Sequence, residues 1–511
     1  MNHVAALPDE RASASPDGPC LADANHELDN AGFAREVRLT AASLVELGIG
    51  PGDVVGVILP NCVELITIMF AAWRLGAALT PVNPALTAKE AQHQITDSRA
   101  SLVVVDEASA AKADRGTARV RTVDELTRGP VTGGDPPLRT DLADISLLIY
   151  TSGTTGRPKG VMLDHSNVAA TSAMIVDWFG MSSAERCLLV LPLFHVNGIM
   201  VSAVSPLVAG GSTVIAPRFD VATFWDLVER VRPTFFSAVP TIYAILTGLP
   251  PEARPDTSSL RLVICGAAPM PAGAIRDFEA RYGVAIVEGY GQSESTVVIT
   301  ANPIDGIRKP GTVGLPLPGQ ELQIVGANDE ELPPGEPGEV TVRGANVMRG
   351  YLGKPDETAR TLRGGWLHTG DVGRLDADGY LVLVDRLKDL IIRGGENIYP
   401  KEIEDVLYNH PAVFEAAVVA RDHPVFGEEP VAFVSFRAGH EVEPEELITH
   451  AKQSLAKFKV PREVFVEARL PTNAVGKIDK PALRERLSSW SDARTAVGDP
   501  GRTLRCDRQP A

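Results

Sequence analysis

The segment Ile145-Ser146-Leu147-Leu148-Ile149-Tyr150-Thr151-Ser152-Gly153-Thr154-Thr155-Gly156-Arg157-Pro158-Lys159-Gly160-Val161 joins an apolar run to a cluster of hydroxyls, glycines and a lysine. Ile145 to Ile149 has the length and residue types of a buried strand, and it runs straight into the polar cluster. Gly153 and Gly156 allow the backbone to turn at positive φ and to approach a ligand closely. Ser152, Thr154 and Thr155 can donate hydroxyl hydrogens to phosphate oxygens, and Lys159 adds a positive charge. The segment reads as a loop that holds phosphates. A P-loop is excluded by register: counting from Gly153, the second required glycine is Pro158, and Lys159 is followed by Gly160 where Ser or Thr is needed. A Gly/Ser/Thr linker is the bland alternative, and the strand that feeds the loop argues against it.

Upstream, helical patterns alternate with short strands. Phe33 to Leu47 is a predicted helix ending at Gly48, followed by a strand from Val54 to Leu59. A helix from Cys62 to Gly76, a strand end at Leu79 to Val82, a helix from Ala88 to Asp97 and a strand at Leu102 to Val105 continue the rhythm. Such βαβ alternation predicts a largely parallel sheet covered on both faces. Glu64 and Arg74 are read as the solvated face of their helix, and Met1 to His26, rich in small and polar residues, as a flexible end.

Downstream, Asp164-His165-Ser166-Asn167 opens a helix, and Leu188 to Gly198 is a buried strand that breaks near His195 and Asn197. Thr234 to Pro240, with Ser237 and Ala238, and Leu262 to Pro269, with Gly266, Ala267 and Ala268, are further strands with polar or glycine ends. Open α/β sheets bind ligands at such ends. Val284 to Glu294 repeats the plan: a strand, then Gly289-Tyr290-Gly291-Gln292-Ser293-Glu294. A tyrosine between glycines can stack on a nucleobase and a glutamate can hold Mg²⁺, although a turn tyrosine beside a solvated glutamate is commoner.

After Pro310 the chain becomes β-rich and Gly/Pro-punctuated, predicting a small β-barrel-like subdomain. After Lys388 come a strand ending in Gly394-Gly395, a helix from Pro400 to Asn409, two strands and a helix from Pro444 to Ala456, together about a hundred residues of α+β domain. The predicted organisation is a flexible 1–26, a large α/β domain with doubly wound sheets over 27–387, a small mobile domain over 388–487 and a disordered 488–511.

Composition limits the function classes. The 511 residues exceed a single core, and a net charge of −16 excludes nucleic acid as the main partner. Five cysteines without a C-x-x-C pair argue against a zinc site or a disulfide framework and fit a reducing, cytoplasmic setting. Cys187 to Pro217 lacks Asp, Glu, Lys and Arg and is long enough to span a membrane, but its prolines and glycines divide it into strand, helix and strand. Peripheral membrane contact remains open.

In order and spacing these stretches resemble the adenylate-forming superfamily of acyl-CoA synthetases, luciferases and nonribosomal peptide adenylation domains, over roughly Asp17 to Leu487. The resemblance implies ATP, Mg²⁺, CoA and a fatty or aryl carboxylic acid as reactants, joined through an acyl-adenylate. It implies that Thr151, Ser152, Gly153, Thr154, Thr155, Gly156 and Lys159 hold phosphates. Gly266, Ala267, Ala268, Gly289, Tyr290, Gly291, Gln292 and Ser293 would surround adenine, Glu294 and Thr151 would bind Mg²⁺, and Asp371 and Arg386 the ribose. Lys477, in the Pro471 to Lys477 turn, would bridge carboxylate and α-phosphate. Lys388 would be the hinge about which the small domain turns, Gly394 and Gly395 would line the CoA tunnel, and His195 would gate it. Asn197, Ser237, Ala238 and Thr296 would line the acyl pocket. Two departures stand out: the lysine turn is less threonine-rich than usual, and Asn397 stands where some members place an arginine near the phosphate. Phe194-His195-Val196-Asn197 lacks the aspartate that would bind an α-ammonium group, which disfavours an amino-acid substrate. The remaining alternatives are transfer to a carrier protein instead of CoA, a luciferase-type oxygenase and a silent AMP- or acyl-binding homologue.

Overall fold

A computed structural model describes residues 3–113, 118–127, 135–151, 158–268, 270–437, 439–472 and 478–487. The chain divides into two compact units: residues 1–335, 340–369 and 375–382 form the first, and residues 336–339, 370–374 and 383–511 the second.

The first unit holds a seven-stranded and a nine-stranded sheet among the described residues. In the seven-stranded sheet the order is Gly350–Tyr351, Lys159–Asp164, Ile145–Thr151, Ala78–Pro81, Val54–Ile58, Leu102–Val105 and Arg119–Thr122. Ile145–Thr151 pairs parallel to Ala78–Pro81 on one side and antiparallel to Lys159–Asp164 on the other, so the hydroxyl loop connects the two strands of a hairpin. The nine-stranded sheet contains the neighbours Ile286–Tyr290, Val263–Cys265, Phe235–Ala238, Arg186–Leu189 and Ser212–Ile215, all parallel. From Arg186–Leu189 the chain goes first to Ser212–Ile215 on one flank and then to Phe235–Ala238 on the other. The carboxyl end of Arg186–Leu189 is therefore a topological switch point, where open sheets leave a crevice.

Local chemistry sets the helix boundaries. Thr87 and Glu90 form a capping box on Ala88–Asp97, and Asp164 and Asn167 form another on His165–Trp178. Cys187 to Pro217 folds as strand, helix and strand, with a π-helical turn at Met200–Val204, and no helix of the described residues is long and apolar enough to cross a membrane.

Two expectations change here. Arg74 is buried: its guanidinium donates to Pro136 O at 3.0 Å and to Asp9 at 2.5 Å, because its helix, Val63–Arg74, is buried on all sides except at Glu64. The described part of the amino-terminal segment is ordered. It forms a helix at Leu7–Ala14 and a strand at Pro19–Ala22, and buried Arg11 donates to Asn30 Oδ1 and to the carbonyls of Leu207 and Gly211. Composition alone concealed this anchor because its partners are remote in sequence. The β-rich stretch after Pro310 holds a four-stranded sheet in the order Glu321–Val325, Gly338–Arg343, Leu367–Leu375 and Leu381–Arg386.

The second unit has an α+β core. Its sheet runs Glu396–Ile398, Ile391–Arg393, Gly427–Phe436 and Val413–His423, with Val464–Val466 also paired to Gly427–Phe436. Helices Pro400–Tyr408 and Pro444–Ser454 supply Ile403, Leu407, Leu447 and Ala451 to its apolar interior. Gly394 and Gly395, expected on a strand, are the two central residues of a hairpin turn, with φ of 61° and 90°. Both angles suit a type I′ turn, which glycine adopts without strain.

His165 carries an acid-sensitive element of this fold. Its ring is buried against His3, 4.3 Å away, and Trp73, 5.6 Å away, and neither ring nitrogen has a partner among the described residues. Burial, together with the His3 charge, pulls its pKa down to about 3. Unfolded imidazole titrates near 6.5, so the unfolded chain binds the extra proton first. Stability is lost as pH falls from about 6.5 towards about 3 and levels off below that. The urea midpoint of the wild type is expected to fall more steeply between pH 7 and 4 than that of His165→Gln; parallel pH profiles would exclude His165 as the source.

Candidate active site

Four neighbouring strand ends bring the predicted residues of the first unit together. Beyond Leu189 the chain turns through Pro192 to His195, which directly precedes the helix Val196–Ile199. Gly198 permits this turn, since a Cβ there would lie 2.6 Å from Pro192 O. Asn197 is half-buried and accepts a hydrogen bond from Ser237 Oγ, 3.0 Å away on the adjacent strand. On the next strand, a Cβ added to Gly266 would come within 3.6 Å of both Asn197 Nδ2 and Gly289 O. Asn197, Ser237, Gly266 and Gly289 thus converge at the carboxyl edge of the sheet. His195 lies there too, its ring 4.5 Å from that of Phe194. Ser237 and Thr296 are fully buried: Ser237 sits behind Asn197 and orients it, and Thr296 spends its hydroxyl on Asn346 O at 2.7 Å. Neither side chain reaches the surface of this edge.

Backbone strain collects at the same edge. Ala267, Thr296 and Val297 have φ of 69°, 49° and 90°, and a β-branched residue in that region is strongly disfavoured. Thr296 and Val297 close the turn that displays Glu294, which sits in the 3₁₀ segment Ser293–Ser295. Asn346 clamps this turn by donating from Nδ2 to Ser295 O and Val298 O, both at 2.8 Å. Met348 N donates to Glu294 O at 2.8 Å, and Tyr351 Oη donates to Glu294 Oε1 at 2.8 Å. Burial and the Glu294 charge raise the Tyr351 pKa, so the phenol keeps its proton. Sequence reasoning missed Asn346 and Tyr351, which act on residues about fifty positions away.

Thr151 ends its strand opposite Lys159, and Ser152, Gly153, Thr154, Thr155 and Gly156 lie outside the described residues. Lys159 is engaged: its Nζ is 2.7 Å from Glu357 and 5.0 Å from the centre of the Tyr351 ring. Tyr290 ends the strand Ile286–Tyr290, Gly291, Gln292 and Ser293 follow it, and Ala268 is exposed beside Ala267. In the second unit Asp371 is buried and its Oδ1 is 3.0 Å from Nε of the half-exposed Arg386. Lys388 is exposed in the 3₁₀ turn Leu387–Asp389, shortly after the chain enters the second unit at Leu383. Lys477 lies outside the described residues.

Glu294 offers a carboxylate and Thr151 a hydroxyl, donor types that suit a hard cation. Comparison with known proteins identifies the family. The family model "AMP-binding enzyme" matches residues 8–352, and "AMP-binding enzyme C-terminal domain" matches 402–477. A feruloyl-CoA synthase from Amycolatopsis is 37% identical, with 94% of this chain and 98% of that protein aligned. The ATP-bound structure of MatB from Rhodopseudomonas palustris superposes with a TM-score of 0.89 at 34% identity, covering 95% of this chain and 99% of MatB. O-succinylbenzoate CoA synthetase from Bacillus subtilis, solved with ATP and magnesium, superposes with a TM-score of 0.86 at 30% identity over 94% and 99% of the two chains. The chain belongs to the AMP-binding enzyme family, in its branch of AMP-forming acid–CoA ligases that work with ATP, Mg²⁺ and CoA.

Proposed function

We propose that the enzyme activates an uncharged aliphatic or aryl carboxylic acid as its acyl-adenylate and passes the acyl group to CoA. The supporting observation is the convergence of Asn197, Ser237, Gly266 and Gly289 at one sheet edge, all neutral and mostly small, beside the turn that carries Glu294. In the first step a carboxylate oxygen attacks the α-phosphorus, the bond to the bridging oxygen breaks, and pyrophosphate leaves. Two anions must meet, so the site has to supply positive charge and hydrogen-bond donors in place of water. Ser152 to Gly156 hold the departing phosphates, and Glu294 with Thr151 would hold Mg²⁺, which when bound would supply positive charge against that of the phosphates. Tyr290 lies against adenine with Gly266, Ala267 and Ala268, and Asp371 and Arg386 take the ribose hydroxyls. Lys477 spans the carboxylate and α-phosphate oxygens. In the second step the CoA sulfur, having lost its proton, attacks the acyl carbon and the bond to AMP breaks. Lys388 is the hinge between the steps, Gly394 and Gly395 give the pantetheine arm room, and His195 separates the acyl pocket from that arm.

The four described cysteines are free thiols, which supports a cytoplasmic setting. A pyrophosphate-release screen over short, medium, long-chain, aromatic and dicarboxylic acids, with and without CoA, tests the reading. Sustained release with an uncharged acid only when CoA is present is the expected result. Preference for a dicarboxylate would overturn the acid class, and acid-dependent exchange without any CoA thioester would point to a carrier-protein acceptor.

A further inference from the structure

Tyr351 stands where two active-site motifs meet, and the proposed chemistry gives it no catalytic or binding role. Its strand, Gly350–Tyr351, pairs antiparallel with Val161 and Met162, just after Lys159. Leu352 N donates to Gly160 O at 2.8 Å, and Met348 N donates to Glu294 O at the same distance. Five residues of backbone therefore tie the strand leaving the hydroxyl loop to the turn that holds Glu294. The side chains repeat the link: the Tyr351 hydroxyl is on Glu294 Oε1 and Lys159 lies over its ring. Glu357, in the first turn of the helix Pro355–Thr361, takes the Lys159 ammonium at 2.7 Å, which holds the glutamate pKa below its ordinary value. Buried tyrosines such as Tyr243 and Tyr282 satisfy their hydroxyls on backbone carbonyls. Tyr351 instead restrains the carboxylate that the fold presents to a cation. A lysine over the ring draws electron density from the phenol and strengthens it as a donor.

We propose that Tyr351 is a positioning residue that orients the Glu294 carboxylate for Mg²⁺, and that Lys159 supports the Tyr351 ring, paired with Glu357, instead of gripping phosphate. The proposal rests on Glu294 being the Mg²⁺ ligand. It assigns Lys159, which motif reading places on ATP, to the support of a side chain.

The test uses Mn²⁺ as a paramagnetic probe, its binding to the full-length enzyme with a non-hydrolysable ATP analogue followed by electron paramagnetic resonance. Tyr351→Phe keeps the ring and removes the hydroxyl; it is expected to weaken Mn²⁺ binding roughly tenfold, as loss of one charge-assisted hydrogen bond would. Affinity for the analogue in EDTA should stay at the wild-type value. Lys159→Met should act in the same direction by about threefold, and the double variant should be no weaker than Tyr351→Phe alone, since residues acting through one another do not add. Unchanged Mn²⁺ binding in Tyr351→Phe would overturn the proposal. So would weaker analogue binding by Lys159→Met in EDTA, which would mark a direct phosphate contact. Because the readout is metal binding, it is distinct from a failure of the ligase reading, in which no acid would support ATP–pyrophosphate exchange in wild type or variant.

Discussion

Lys477→Ala is expected to lower acid-dependent ATP–pyrophosphate exchange by about 10²–10³-fold, the usual effect of removing one donor aimed at developing negative charge. Thioester formation from supplied acyl-adenylate and CoA should persist, because by then the pentavalent phosphorus has collapsed and its charge is gone. A lysine suits the first step, being a compact point charge on a flexible stem. The described flanks on either side meet: Thr472 and Ile478 form an antiparallel bridge and Asp479 N donates to Pro471 O at 2.8 Å. Lys480, three residues on, is held within the fold, its Nζ 2.8 Å from Glu404 Oε1. Burial works to lower the Lys480 pKa, but the Glu404 and Asp385 charges outweigh it and hold it up. Lys480→Ala should leave Glu404 buried without its cation, costing about 3–5 kcal/mol of stability, a loss that Lys477→Ala should not share. Equal loss of both half-reactions in a stably folded Lys477→Ala would overturn the assignment.

Where the sequence is legible, the signal is local. Asp164 and Asn167 announce the helix they cap, and alternating strands and helices place His195, Asn197, Gly266 and Tyr290 at strand ends before any sheet is drawn. The hairpin at Gly394-Gly395 is signalled by its glycines between Ile391-Ile392-Arg393 and Glu396-Asn397-Ile398, a pattern that a reading of the pair as a strand end passes over. Other features leave no local trace. Arg11 contacts Leu207 and Gly211 across about two hundred residues, and Tyr351 reaches Glu294 across 57. Neither is marked by spacing or periodicity, since each contact is made by a fold that brings remote segments together. Arg74 lies between these cases: the apolar residues around its helix signal full burial, and only the charge itself suggests solvent.

Gly291→Ala is expected to abolish Mg²⁺-dependent ATP binding and to destabilise the first unit by about 3 kcal/mol, the upper end of the usual range for overpacking. A Cβ at Gly291 would lie 2.1 Å from Val297 O, 2.6 Å from Val297 C and 2.7 Å from Val298 Cα, all backbone atoms that cannot swing aside. The turn they belong to has no slack. Val297 N is committed to Gln292 O at 3.0 Å, Thr296 N to Ser293 O at 3.0 Å, and Val297 is already held at a φ of 90°. Displacing it would break the Asn346 clamp and carry Glu294 away from Tyr351. Gly311→Ala is the control: at a φ of 88° with nothing within 4 Å of the new Cβ, it should cost only about 1 kcal/mol and leave Mg²⁺ dependence unchanged. The rival explanation of Gly291 is close approach of the adenine ring. That account predicts a Gly291→Ala variant with unaltered thermal stability and weakened ATP binding even in EDTA. Backbone crowding predicts a lowered melting temperature, and Mg²⁺ dependence lost beyond what ATP affinity in EDTA explains, because the side chain would strike the turn that holds Glu294 and not the nucleotide.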